Sequence, residues 1–184
     1  MTPPDAPRPP SNNSGDILRV PEVQDLARRE AETLAQQAYW QAAFDHATVQ
    51  LTELVNPIPT NIAAYYIVDF RVGTRQTGRL MLDARTGSVR AIAGVDETHA
   101  TMPSFLSRQE VLSQLIDHVI TLPTDLNGSF VASKATVDEH MVWQPCDQSR
   151  SPFQAFYVAR EGVHQLFVRA DGVAYGSLTQ LGAG

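Results

Sequence analysis

From Pro21 to Phe44 apolar residues return at helical intervals. Val23, Leu26, Leu34, Ala38 and Phe44 share one face and Gln24, Arg28, Glu32 and Gln36 another, which predicts one helix over 21–44. Pro21 suits its first turn, and Glu22 and Asp25 sit near its positive end. The period then changes to two. Val49 and Leu51 alternate with threonines across 47–55, a strand closed by Asn56-Pro57-Ile58-Pro59. Over 62–72, Ile62, Ala64, Tyr66, Val68, Phe70 and Val72 share one parity, while Tyr65 and Ile67 predict that part of the opposite face is covered too. The polar, Gly-bounded stretch 73–78 predicts a hairpin loop. Leu80, Leu82 and Ala84 mark a strand over 79–84, Asp83 to Gly87 a tight turn, and 89–93 a last short strand.

The second half repeats this order. Ser107-Arg-Gln-Glu110 is a capping box, Val111, Leu112, Leu115, Ile116 and Val119 follow at helical spacing, and Pro123 ends the helix. Asn127-Gly128 marks a turn. Strands are expected over 130–143, over 154–160 and, beyond the Glu161-Gly162 turn, from His164 onward, with a Pro-rich loop from Pro145 to Pro152. Ala47-Thr48-Val49 recurs as Ala135-Thr136-Val137, 88 positions on, Pro57 recurs as Pro145, and Gly73 as Gly162 with a slip of one. Internal repetition accounts for this order. The expected fold class is α+β, a tandem repeat of a helix packed on an antiparallel β-sheet, with units over 16–100 and 101–184 behind a disordered tail over 1–15. The alternative is one continuous α+β domain with coincidental matches, and the pattern leaves open whether the halves share one sheet.

The helix over 21–44, the strand with Tyr65 and Tyr66, and the ending Leu82-Asp83-Ala84-Arg85-Thr86-Gly87-Ser88-Val89 together resemble the PepSY domain family, over about 21–94. A second unit over about 105–180 is degenerate: Arg169 stands where Asp83 would align, and Ala170-Asp171-Gly172 shortens the turn, as if the closure tolerated losing that carboxylate. Two such units would be similar to tandem-repeat inhibitor proteins. The resemblance implies an extracytoplasmic module, secreted or of the cell envelope, that binds protein and restrains a peptidase or other hydrolase.

Composition narrows the partner. A net charge of -6, with no clustered basic residues, argues against a nucleic-acid backbone. Thirteen of the 14 basic residues are Arg, spread along the chain, which reads as genomic composition. The single Cys146 excludes an intrachain disulfide and any multi-cysteine zinc site. No apolar run reaches membrane-span length. Residues 1–15 lack a charged segment followed by an apolar one, so they do not read as a signal peptide. A Pro/Ser/Asn-rich tail of this kind commonly links a domain to a removed signal peptide or anchor.

No residue set declares a catalytic chemistry. Asp83 in its turn is explained by hydrogen bonds to amides two and three residues on, with Gly87 closing the bend; calcium would need more converging oxygens. Carboxylates stand beside imidazoles at Asp45-His46, Asp96 to His99, Asp117-His118 and Asp138-Glu139-His140, without metal-ligand spacing. Asp138 and His140 could share a strand face as an ion pair or half a metal site. Asn12-Asn13-Ser14 and Asn127-Gly128-Ser129 are formal glycosylation sequons only. Trp143, Phe153, Phe156, Tyr157 and Tyr175 gather aromatic area, either as core or as anchors for a partner; the first four are the candidate partner-binding residues. The expectation is a non-catalytic protein-binding module without cofactor or metal, whose partner class is a secreted peptidase. Two alternatives stand beside it. One is a small-ligand-binding protein or enzyme whose site assembles only in the fold, from His140, Cys146 and His164. The other is a structural part of a cell-envelope assembly.

Overall fold

The computed structural model describes residues 16–58, 62–95, 102–103, 105–117, 130 and 132–179. The expectations for the 1–15 tail, both sequons, Asp96 to His99, His118, Pro123 and Asn127-Gly128 lie outside these residues. The fold is α+β. Among the described residues it comprises α1 (Val20–Ala35), α2 (Ala38–Phe44), β1 (Thr48–Pro57), β2 (Tyr65–Val72), β3 (Arg75–Asp83), β4 (Val89–Gly94) and α3 (Arg108–Asp117). A 3-10 turn (Ala132–Lys134), β5 (Thr136–Val137), β6 (Met141–Trp143), β7 (Phe156–Glu161), β8 (His164–Arg169) and β9 (Ala174–Tyr175) follow.

The helix expected over 21–44 is two helices. Gln37 leaves helical geometry (φ -95, ψ 124), so α2 turns back on α1. No Pro or Gly marks the break. It is set by packing: the turn brings Phe44 edge-on to Phe70, ring centroids 5.4 Å apart. α1 buries Val23, Ala27, Ala31 and Leu34, so two alanines occupy the centre of its inner stripe and let it lie close to the sheet. The expected loop over 73–78 is likewise shorter. Gly73, at φ +60, and Thr74 make a two-residue turn, and β3 begins at Arg75. The strand expected over 130–143 is broken into the 3-10 turn, β5 and β6.

The strands form one sheet in the order β4-β3-β2-β1-β6-β7-β8-β9, with β5 pairing β7 upstream of β6. All neighbours are antiparallel except β1 and β6, which run parallel through Val55↔Met141, Asn56↔Val142 and Pro57↔Trp143. That junction joins the two halves. β2 is buried on both faces, and its alternate residues belong to different cores. Tyr66, Val68 and Phe70 pack with Leu80, Leu82 and the inner faces of α1 and α2. Tyr65 and Ile67 pack with Phe105, Val111 and Leu115 around α3 and with Met141, Tyr157 and Leu166. The first two helices therefore lie on one face of the sheet and the third on the other. Gly78 and Gly94 oppose each other across β3 and β4. A Cβ on Gly94 would stand 2.5 Å from Ala43 Cβ, and one on Gly78 2.7 Å from the Phe44 ring, so this glycine pair is the floor on which α2 rests.

Candidate functional site

The Asp83 turn is a closure and carries its own ligands. Asp83 Oδ1 accepts from the amides of Arg85 (2.9 Å) and Thr86 (2.8 Å), and Oδ2 pairs with the Arg90 guanidinium. Burial alone would raise the Asp83 pKa. The Thr86 and Arg85 amides and Arg90 outweigh it and hold the carboxyl well below its usual range. Gly87, at φ +69, sits against the Leu26 side chain, and Leu18 N donates to Ala84 O (2.8 Å), so the turn is packed under the start of α1. In the second half Arg169 ends β8 as Asp83 ends β3, and the turn that follows does not lack a carboxylate. Asp171 supplies it from inside the turn, pairing with Arg169 (2.9 and 2.8 Å) and accepting from Val173 N (3.4 Å), with Gly172 at φ +93. The expectation that this closure does without a carboxylate is corrected: the acid moves two positions and takes its arginine from the strand end.

The histidine and cysteine candidates are not brought together. Asp138, half of the supposed pair with His140, is held by Arg160 at 3.0 Å through both carboxylate oxygens, and His140 is exposed in the bulge between β5 and β6. His46 is exposed at φ +56, 3.6 Å from Asp45. Cys146 is buried in a tight turn whose main chain closes on Ser149, and its thiol contacts Ser149 O at 3.8 Å. Arg169, at the end of β8, donates to Gln148 O in that same turn (2.6 Å), whereas His164 begins the strand, about 17 Å away at strand rise. Among the described residues no group of three or more His, Cys, Asp or Glu is placed to hold a metal ion.

The aromatic candidates face inward. Phe156 and Tyr157 are 0% exposed. Tyr157 donates from its hydroxyl to Leu106 O (2.9 Å), and burial, followed by the Glu53 carboxylate, pushes its pKa up. Phe156 is edge-on to Phe167 and Tyr175. Trp143 and Phe153 are half-buried against the α3-side core. These four residues fill the second half.

Two features were not singled out from the sequence. The first is a polar cluster on the α3 face of β2 and β3. Asp69 and Arg79 are cross-strand partners, 0% and 3% exposed, joined at 3.0 Å. Arg71 (3.4 Å) and Gln76 (3.1 Å) also donate to Asp69. Burial pushes the Asp69 pKa up against the pull of Arg79 and Arg71, and burial likewise lowers Arg79. Pressed onto this cluster is the segment that enters α3. Gln76 donates to Phe105 O (3.1 Å) and accepts from Phe105 N (3.0 Å), Arg71 reaches Phe105 O (3.5 Å), and Arg79 donates to Pro103 O. The Phe105 ring lies under the Arg79 guanidinium, 4.8 Å from it. The next residue binds the other half: Leu106 N donates to Ala170 O (2.8 Å) and Leu106 O accepts from Tyr157. Clefts of about 590 and 350 Å³ open beside this strap and share Arg71, Leu106 and Glu110 in their walls.

The second feature is β4. Among the described residues it has a strand on one side only. Edge strands are commonly blunted by lysine, proline or an inward charge. β4 has neither Lys nor Pro; its one charge, Arg90, is spent on Asp83 and on Ala63 O (2.8 Å) and stands in a bulge, while Ala91 to Gly94 pair regularly with β3. Beside its end lies α2, where Trp40 approaches Gly94 and stacks edge-on with Tyr39, which is 71% exposed.

Compared with family models, curated proteins and solved structures, the chain gives no match.

Proposed function

We propose that the protein is a non-catalytic, extracytoplasmic protein-binding module built from two PepSY-like units in tandem, with a secreted peptidase or other hydrolase as its class of partner. The observation that carries this is β4: among the described residues it is an edge, bulged at Arg90 but regularly paired from Ala91 to Gly94, and it lies next to an exposed Tyr39 on Trp40, so it is suited to accept an extended strand and an aromatic contact from another protein. Support for the repeat comes from the turns. Gly73 and Gly162 close the β2–β3 and β7–β8 hairpins at φ +60 and +58, and each half ends on an acid-and-arginine turn with a positive-φ glycine. Support for a binding role over a catalytic one comes from the carboxylates, several of which are committed to arginines as structural pairs: Asp69, Asp83, Asp138 and Asp171.

The test is direct. At micromolar concentration the purified chain should retain and slow a hydrolase from the secreted proteins of its producing organism. A Tyr39→Ser, Ala91→Lys double variant, which removes the aromatic and guards the edge, should weaken retention at least tenfold. Unaltered hydrolase activity throughout would remove the proposal.

A further inference from the structure

We propose that the α3-side face of β2 and β3 is a peptide-recognition site which the chain fills in cis with Pro103 and Phe105, and that an extended, phenylalanine-bearing segment of a protein partner takes the strap's place. This rests on the protein-binding reading and adds a second surface to it, on the sheet face opposite α1 and α2.

The form of the contact is the argument. Gln76 bonds both the N–H and the C=O of Phe105, the two-point pattern by which a side-chain amide reads an extended main chain in place of a neighbouring strand. Arg71 and Arg79 add bonds to the carbonyls of Phe105 and Pro103. Every one of these bonds goes to main chain. The side chain that is read is Phe105, a fully buried aromatic anchor beneath a guanidinium. A permanent internal contact has no need of such a face, because apolar residues of similar volume hold two layers together at least as well as a buried ion pair. A face on which one buried acid holds two arginines and an amide, those three aimed at peptide groups, is what recognition of a displaceable segment requires. The groove also continues past the strap: the larger cleft is walled by Gln50, Ser107, Gln109 and Ser113, which offer a longer segment further donors and acceptors. The partner's phenylalanine and carbonyls replace those of the strap, and its affinity has to exceed the advantage that tethering gives the strap.

The probe is the strap itself as a capped peptide, TMPSFLSR, residues 101–108, added to the full chain carrying Phe105→Ala. Fluorescence anisotropy should show this variant binding the peptide at least tenfold more tightly than the wild type, whose own strap competes. Replacing the peptide's phenylalanine by alanine, or adding Gln76→Ala to the protein, should each weaken binding at least tenfold. A folded Phe105→Ala chain that ignores the peptide, or binds the alanine peptide equally, overturns the proposal, as does strap exchange between two copies seen as a dimer by light scattering. Should Phe105→Ala not fold, hydrogen exchange on the wild type decides: a Phe105 amide exchanging at least tenfold faster than the amides of β2 supports a displaceable strap, and equal rates overturn it. A hydrolase retained by the wild type, together with a folded Phe105→Ala chain that ignores the peptide, removes this inference and leaves the protein-binding reading intact. Peptide binding with no hydrolase retained does the reverse.

Discussion

Asp83 and Asp171 show how one physical need is met by different residues. Each hairpin closure requires an acceptor for turn amides and a cation to balance it. The first half takes the acid from the strand end and the arginine from beyond the turn, and the second takes the arginine from the strand end and the acid from inside the turn. Because the folded-state pKa of Asp83 lies below its unfolded value, its stabilisation is complete above the ordinary carboxylate range and is lost as pH falls below about 4. Asp83→Ala should cost about 1–3 kcal/mol at pH 7 by urea unfolding, and the gap to wild type should close as pH approaches 2. The Asp69–Arg79 pair responds differently to mutation. Removing one partner leaves a buried charge, so Asp69→Ala should lose about 3–5 kcal/mol, whereas Asp69→Leu with Arg79→Met should fall within about 1 kcal/mol of wild type or above it. The same double variant should lose binding of TMPSFLSR in the Phe105→Ala background.

At the scale of elements, what could be read from sequence was what local chemistry determines. The α3 capping box forms as expected, with Ser107 N donating to Glu110 (2.6 Å) and Glu110 N donating to Ser107 Oγ (3.2 Å). The period-two runs became β2, β3 and β4, and the Asp83 turn took the predicted bonds. Elements set by distant packing were not legible. The α1–α2 break carries no breaker residue and exists because Phe44 must reach Phe70 and the glycine floor. The bulge between β5 and β6 follows from β6 having to pair β1 and β7 at once. The strap was hidden because its parts, Asp69, Gln76, Arg79 and Phe105, are scattered over 37 positions, although Asp69 and Arg79 stand at nearly equal distances from the Gly73 turn and could have signalled a cross-strand pair. The floor gives its own test: Gly94→Ala should overpack against Ala43 and cost about 1–3 kcal/mol, seen as a lower urea midpoint at unchanged m-value.

For the whole molecule the deciding fact is that the α3-side core draws on both halves, with Val55, Tyr65 and Ile67 packed against residues from Phe105 to Ala170. Trp40 reports on the α1 side and Trp143 on the α3 side. Fluorescence of Trp40→Phe and Trp143→Phe variants should therefore give coincident urea transitions; two separated midpoints would mean that the parallel β1–β6 junction and the strap do not couple the halves. Helices on opposite faces also impose an order in time. When Val95 leaves the ribosome, α1 and α2 can already cover their side of the first four strands, but Tyr65, Ile67 and Met81 on the other side await residues as far along as Ala170. At 5–20 residues per second that interval is about 4 to 15 s, during which the newborn chain shows Tyr65, Ile67 and Met81 uncovered beside the Asp69–Arg79 pair, so synthesis in a cell-free system should yield more soluble protein when a chaperone is present or elongation is fast.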